Sequence, residues 1–146
     1  MRVYFDMCCL QRPLDDKAQL RVLVEAQAVL GLLAFCETGD VDLIASEALV
    51  FEADASSDAV RRDFAVQTIS KATQFIQTDA PLKAQAQKFM ESGIKPLDAL
   101  HLASAIRAQA DYFCTCDDRF LRKARSLNTV PTQIVSPLEL VAEIEQ

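Results

Sequence analysis

The chain has 146 residues, of which 51% are hydrophobic and 25% are charged, proportions typical of a globular protein. From this length we expect one domain spanning residues 1–146. The formal net charge of −6 argues against binding nucleic acid through overall charge, but it allows a nucleic-acid enzyme with a concentrated carboxylate site. No apolar run is long enough to cross a bilayer, and the N-terminus lacks a signal-peptide pattern, so we expect a cytoplasmic protein with no membrane partner.

The cysteines and the histidine do not form a recognisable metal or redox motif. The sequence holds five cysteines, an odd number, so they cannot all pair within one chain. Cys8 and Cys9 are adjacent, and Cys114 and Cys116 are one residue apart, so neither pair has the C-x-x-C spacing of a zinc or redox site. Since His101 is the single histidine, we predict that the cysteines are small buried side chains in a reducing compartment.

Predicted strands and helices alternate along the chain. Runs of β-branched and aromatic residues predict strands near residues 3–5, 41–45, 75–78, 111–115 and 132–136. Helical spacing of apolar residues, with capping and stop residues at the ends, predicts helices near residues 15–38, 47–52, 57–73, 81–93, 96–110, 117–125 and 137–145. This alternation predicts an α/β fold with a mainly parallel central sheet and helices on both faces.

Four acidic residues stand where this topology would gather them. Asp6 directly follows the apolar run VYF, and Asp117 comes just after the strand DYFCT, so both project from the carboxyl edge of the sheet, where ligands bind. Glu52 lies on the helix after the second strand, and Asp98 lies in the first turn of the helix that Pro96 opens. We therefore expect these four carboxylates to form one cluster.

Each of these acids alone also has an ordinary structural explanation. Asp6 and Asp117 could cap the helices that follow them, Asp98 would interact favourably with a helix dipole, and Glu52 could be solvated. Clustered carboxylates, however, repel one another unless a counter-charge is present. Mg²⁺ and Mn²⁺ prefer oxygen ligands and stabilise the charge that develops on a phosphodiester during hydrolysis. Taken together, the four acids predict a site for Mg²⁺ or Mn²⁺.

Four segments, VYFDMCCLQRP, SEALVFE, IKPLDALHLASA and YFCTCDD, resemble the PIN-domain family in order and approximate spacing. That family includes the VapC-type toxins of bacterial toxin–antitoxin pairs. The resemblance implies a three-layer α/β/α sandwich and Mg²⁺- or Mn²⁺-dependent cleavage of RNA. It also implies that Asp6, Glu52, Asp98 and Asp117 are the catalytic and metal-binding residues. Thr115 matches the family's hydroxyl residue two positions before the last acid and would support the site.

Two positions in this assignment have competitors. Glu47 competes with Glu52, which has the better position after SEALVF. Asp118 competes with Asp117, which the Thr-x-Asp spacing favours. His101 lies on the same helix as the third acid, and we expect it to be a partly buried packing residue.

The segments also contain departures from the family pattern and candidate phosphate ligands. Met7 and Cys8 stand where the family often has Thr and Asn after the first Asp, so a polar side chain near the metal is missing. Arg12 is a candidate phosphate ligand or an ordinary surface arginine before a turn proline. Arg119 begins a basic run that would guide a phosphate backbone toward Asp117, or that forms a solvated helix face.

The leading hypothesis is a metal-dependent endoribonuclease, the toxin of a toxin–antitoxin pair. RNA is then the substrate, and an antitoxin protein and a second copy of the chain are the expected partners. The alternative is a catalytically weak or inactive PIN-like module that binds RNA in a regulatory role. A phospho-acceptor receiver domain is disfavoured, because Asp6 stands alone after the first strand and no lysine follows the last strand.

Overall fold

The computed structural model describes residues 1–146, and its five strands form a single sheet. The strands are β1 (Arg2–Phe5), β2 (Asp42–Ser46), β3 (Gln74–Ile76), β4 (Tyr112–Cys114) and β5 (Gln133–Val135). They lie in the order β3-β2-β1-β4-β5, and every neighbouring pair is parallel. The predicted parallel sheet is therefore confirmed.

Eight α-helices and one short 3-10 helix (Arg12–Leu14) surround this sheet. The α-helices are α1 (Met7–Leu10), α2 (Leu20–Cys36), α3 (Glu47–Asp54), α4 (Ala59–Ile69), α5 (Ala80–Glu91), α6 (Pro96–Arg107), α7 (Asp118–Arg125) and α8 (Pro137–Ile144). Helix α2 packs with α8, α5 packs with α6, and α3 contacts α6, which gives the expected α/β/α sandwich. None of these helices combines the length and the apolar character needed to cross a membrane.

The structure differs from the sequence-based expectation at the start of the chain. The long helix was expected from residue 15, but α2 begins at Leu20. Asp15 instead forms ion pairs with Arg12 at 3.0 Å and Arg61 at 2.8 Å, so residues 15–19 remain an irregular segment held by two guanidinium groups. The single-turn helix α1 was not expected, and it forms because the side chain of Asp6 accepts a hydrogen bond from the backbone of Cys9.

The centre of the fold is the aromatic core around β1. Val3, Tyr4 and Phe5 are at most 1% exposed, as expected for a parallel strand covered on both faces. The ring of Phe113 on β4 stacks on Tyr4 at 5.3 Å and contacts Phe120 at 5.2 Å between centroids. These contacts hold the two central strands together just below the edge where both end.

Strand order reverses between β1 and β4, and this reversal fixes the place of the site. The chain moves outward from β1 through β2 to β3, and then crosses back to β4 on the other side of β1. Phe5 is in register with Cys114, and the backbone N–H of Asp6 donates to the carbonyl of Cys114 at 3.2 Å. The residues after β1 and β4 therefore meet at a topological switch point, the usual ligand position in such sheets.

Replacing Phe113 with alanine tests the importance of this core. We expect Phe113→Ala to lower the free energy of unfolding by about 3–5 kcal/mol, because it leaves a void against Tyr4 and Phe120. Urea denaturation followed by circular dichroism measures the change. Phe51→Ala is the matched control, since Phe51 is 67% exposed, and it should cost less than about 1 kcal/mol. Equal losses in the two variants would contradict this account of the core.

Candidate active site

Asp6 is a buried carboxylate that caps helix α1, as its ordinary structural explanation expects. Its side chain is held at the end of β1, and the residue is only 4% exposed. Its Oδ1 accepts hydrogen bonds from the backbone N–H of Cys9 and from the thiol of Cys8, both at 3.1 Å. Burial raises the pKa of Asp6 to about 6, although hydrogen bonds from Thr115 and Cys8 oppose the shift. The first acid of the cluster is therefore held in an environment that disfavours its charge.

Thr115 and Asp117 are arranged by the turn between β4 and α7. The hydroxyl of buried Thr115 accepts a hydrogen bond from the backbone N–H of Asp117 at 3.1 Å. Asp117 caps α7, because its Oδ1 accepts from the backbone N–H groups of Arg119 at 3.0 Å and Phe120 at 3.1 Å. Its Oδ2 accepts no hydrogen bond within the chain, so one oxygen of Asp117 stays available at the surface of the site.

Asp98 is the carboxylate with the fewest partners. It lies in the first turn of α6, is half-buried, and takes part in no side-chain hydrogen bond or ion pair within the chain. Burial raises its pKa, and the negative charges of Asp117 and Glu52 raise it further, while His101 opposes the shift. The structure thus brings Asp98 on α6 within electrostatic reach of two other predicted acids, Glu52 on α3 and Asp117 in the turn after β4.

Glu52 is positioned by a chain of buried hydrogen bonds that begins on the sheet. The hydroxyl groups of Ser46 and Tyr4 lie 2.7 Å apart, and the hydroxyl of Tyr4 lies 2.6 Å from Nδ1 of His101. Nε2 of His101 lies 2.7 Å from Oε1 of Glu52. An ionised Glu52 can only accept, so Nε2 carries a proton and donates to it. Tyr4 can donate to a neutral His101 or accept from a charged one, so every group has a partner in either protonation state.

The competing acids occupy other surroundings. Oε1 of Glu47 accepts a hydrogen bond from the backbone N–H of Thr78 at 2.9 Å, away from the histidine chain. The carboxylate of Asp118 forms an exposed ion pair with Arg21, with one N–O distance of 2.7 Å. Neither side chain forms a hydrogen bond or ion pair with the other predicted site residues.

The two candidate phosphate ligands differ in how available they are. Arg12 forms ion pairs with Asp15 and with the buried carboxylate of Glu25, both at 3.0 Å, and its side chain is only 19% exposed. Arg119 is exposed, makes no side-chain hydrogen bond or ion pair, and lines the same cavity as Asp98 and Asp117. Of the two cations, Arg119 is the one free to contact a ligand.

The carboxylates do not form a ready-made cation cage. No group of three or more histidine, cysteine, aspartate or glutamate side chains is close enough together to hold a metal ion. Repulsion between like charges keeps such groups apart when no cation lies between them, and Glu52 is held by His101. The arrangement is therefore a loose group of oxygen donors around one edge of the sheet.

Sequence reasoning missed two contributors to this site. His101, which was expected only to pack, is 1% exposed and bridges Tyr4 to Glu52. Its position one helical turn after Asp98 was the available signal. Cys8 was expected to be a small buried side chain and was considered as the loss of a polar residue, but it is exposed. It donates its thiol proton to Asp6, and its sulfur lies 3.7 Å from the hydroxyl of Thr115.

Comparisons with known proteins give matches of two kinds, to a family model and to solved structures. A family model described as PIN domain matches residues 14–126. The crystal structure of FitAcB from Neisseria gonorrhoeae is similar in fold, with a TM-score of 0.57 and 13% sequence identity. The alignment covers 93% of this chain and 98% of that chain. A comparison with curated proteins gives no match.

Replacing Asp6 with asparagine tests the cost of the buried carboxylate. The folded-state pKa of about 6 lies above the ordinary value of 3.8, so the wild-type protein loses stability as pH rises through that window. In metal-free protein near pH 7.5 we expect Asp6→Asn to raise the free energy of unfolding by up to about 3 kcal/mol. The gain should shrink toward about pH 4 in urea titrations. Asp54→Asn, at an exposed acid, is the control, and a similar gain there would refute this cause.

Replacing Tyr4 with phenylalanine tests the buried hydrogen-bond chain. Tyr4→Phe removes the hydroxyl group between Ser46 and His101 and leaves Nδ1 of the imidazole without a partner. We expect the free energy of unfolding to fall by about 1–3 kcal/mol in thermal or urea denaturation. Tyr112→Phe is the matched control, because that hydroxyl bonds Glu143 at the edge of the protein at 3.2 Å. If both tyrosine variants lose the same small amount of unfolding free energy, the buried hydrogen-bond chain contributes no more to stability than a hydrogen bond at the surface.

Proposed function

The chain belongs to the PIN-domain family, and on this basis we propose that it is a metal-dependent endoribonuclease that hydrolyses RNA phosphodiester bonds. PIN domains are generally nucleases, so a hydrolytic function is the default expectation for the family. The observation that carries the proposal for this chain is the half-buried and unpartnered carboxylate of Asp98. It faces the same cavity as Asp117, at the switch point of a parallel sheet.

We propose that Asp6, Glu52, Asp98 and Asp117 hold Mg²⁺ or Mn²⁺. All of their donor atoms are carboxylate oxygens, which suit these hard cations. Burial raises the pKa values of Asp6 and Asp98, so their charged forms are disfavoured in the absence of a cation, and a bound cation would stabilise them. Mg²⁺ keeps several waters and often uses only one or two carboxylates together with substrate phosphates, so a closed protein cage is not required.

The chain's own residues would then divide the work between binding and support. A bound cation supplies stabilisation of the negative charge that builds on the phosphodiester during attack by water. Asp98 and Asp117 present free oxygens in the cavity. Thr115 fixes the turn that carries Asp117, and His101 fixes the direction of the Glu52 side chain. Asp6 would add a buried negative charge next to the turn that carries Asp117.

Among the basic residues we propose Arg119 as a contact to substrate phosphate. Its guanidinium group is exposed beside Asp98 and Asp117, without a competing partner. Arg12 is the weaker candidate, since binding phosphate would require it to leave Asp15 or Glu25. Placing a free cation next to the acids would compensate their repulsion of an incoming phosphate.

We further propose that an antitoxin protein restrains this nuclease and that the chain forms a homodimer. The support is the resemblance of its segments to the VapC-type toxins. Exposed apolar side chains, among them Leu20, Phe51 and Leu138, are suitable for protein contacts. Size-exclusion chromatography with light scattering, on the chain alone and co-expressed with its neighbouring gene product, tests both proposals.

A PIN-like RNA-binding module without turnover is the second candidate function. It is favoured by the absence of a preformed cation cage and by the thiol of Cys8 at the position where the family often has a polar amide. In that case the site would bind RNA or metal, but no metal would promote cleavage.

A cleavage assay on mixed structured and single-stranded RNA distinguishes these functions. We expect cleavage with Mg²⁺ or Mn²⁺ and none in excess chelator. Asp98→Asn should reduce the rate by at least about 100-fold, because it removes charge from the cation site. Asp118→Asn is the matched control, since this neighbouring acid pairs with Arg21 outside the site, and it should keep activity. Equal cleavage by wild type and Asp98→Asn would indicate a contaminating ribonuclease, and no cleavage by folded protein would favour the binding module.

A further inference from the structure

A basic pocket of about 430 Å³ opens beside the candidate active site. It lies between the turn joining α5 to α6, the start of α6 and one face of α7. Besides Asp98 and Asp117, its charged lining residues are all cations: Lys95, Arg119, Arg122 and Lys123. Four positive side chains thus face two carboxylates, in a protein whose net charge is −6.

The arginines of the basic pocket are distinguished by having no partner. Arg119 and Arg122 are the only arginines whose side chains form no hydrogen bond or ion pair within the chain. Every other arginine binds a carboxylate or a backbone carbonyl. Lys95 and Lys123 also lie more than 4 Å from any carboxylate oxygen, since neither takes part in an ion pair. Elsewhere on the protein each arginine side chain has a hydrogen-bonding partner, whereas in this pocket the arginines are left free.

The fold also brings one of these cations close against the backbone. Gly93 ends α5 with a φ of +97°, and a Cβ atom at this position would lie 2.9 Å from Cε of Lys123. Because glycine has no side chain, the stem of Lys123 can lie across the turn between α5 and α6. Lys123 from α7 thereby lies next to the start of α6, so two separate parts of the chain line the pocket.

We propose that the basic pocket binds backbone phosphates of the RNA strand next to the phosphodiester held at Asp98 and Asp117. This inference rests on the proposed function and extends it, because it assigns the path of the strand away from the site of hydrolysis. Free cations in a groove are the usual means of holding a single strand. Because Asp98 and Asp117 line the same pocket as the four cations, a strand bound there lies next to the two acids.

The chemistry of the pocket also sets the kind of recognition. Phe120 is its only aromatic lining residue, and it is 5% exposed, so no ring is available for a base to stack on. Contacts to phosphates fix position and affinity but carry no sequence information. We therefore infer that this pocket strengthens RNA binding equally for different sequences.

Salt-dependent RNA binding in excess chelator tests the pocket independently of catalysis. The probe is a fluorescein-labelled single-stranded RNA, followed by fluorescence anisotropy. Lys95→Gln/Lys123→Gln removes two pocket charges. If both contact phosphate, the slope of log K against log salt should fall by about 1.4, which corresponds to about 25-fold weaker binding near 0.1 M salt.

Lys83→Gln/Lys88→Gln is the matched control, because these exposed lysines on α5 carry the same charge outside the pocket. It should bind RNA as the wild type does, and circular dichroism should show all variants folded. Uridine and adenosine oligonucleotides should lose affinity to the same extent in the pocket variant. Equal losses in the pocket and control variants would overturn the inference, since net charge alone would then explain them.

The remaining outcomes separate this inference from the proposed function. If the pocket variant binds RNA more weakly, but no metal promotes RNA cleavage by the wild type, the pocket is supported and the proposed nuclease function is refuted. Metal-dependent cleavage with an unchanged KM in the pocket variant would do the reverse. Absence of RNA binding by the folded wild type would overturn the pocket. Tighter binding of polyglutamate than of RNA, lost in the pocket variant, would overturn it in favour of an acidic protein partner.

Discussion

Parallel pairing of β1 with β4 is the constraint on which the rest of the site depends. The register of Phe5 with Cys114 makes the two strands end side by side, and the aromatic contacts of Tyr4 and Phe113 hold them there. Asp6 and the turn carrying Asp117 therefore leave the sheet at one point. Because parallel strands require crossover helices, α6 returns with its first turn toward the same edge and adds Asp98.

The electrostatic character of the site follows from this convergence. Burial disfavours the charged forms of Asp6 and Asp98, and repulsion from Asp117 and Glu52 adds to this effect at Asp98. The fold therefore retains charges without which the protein would be more stable. The buried hydrogen-bond chain from Ser46 through Tyr4 and His101 stabilises the fold next to these acids. Charged groups that lower stability, supported by a hydrogen-bonded interior, are the expected compromise between activity and stability.

Charge is distributed unevenly around this edge, which reconciles an acidic protein with the proposed RNA substrate. Pairing removes most arginines from contact with ligands, as for Arg12 and Arg21, whereas the cations of the basic pocket stay free. Local free charge, and not the net charge of the chain, then determines where a polyanion binds. The same reasoning separates Arg12 from Arg119, which the sequence presented as equal candidates.

Local pattern determined the fold class and nearly all helices and strands, because strand and helix periodicity and capping act over a few residues, and it led to the proposal of the four acids. It missed α1 and placed the start of α2 too early, since the hydrogen bond of Asp6 and the ion pairs of Asp15 with Arg12 and Arg61 outweigh local propensity there. Only the tertiary structure decided which of the competing acids have free oxygens near one another. It alone assigned His101 to Glu52 and left the pocket cations unpaired. These outcomes depend on contacts between residues far apart in the chain, which spacing along the sequence does not encode.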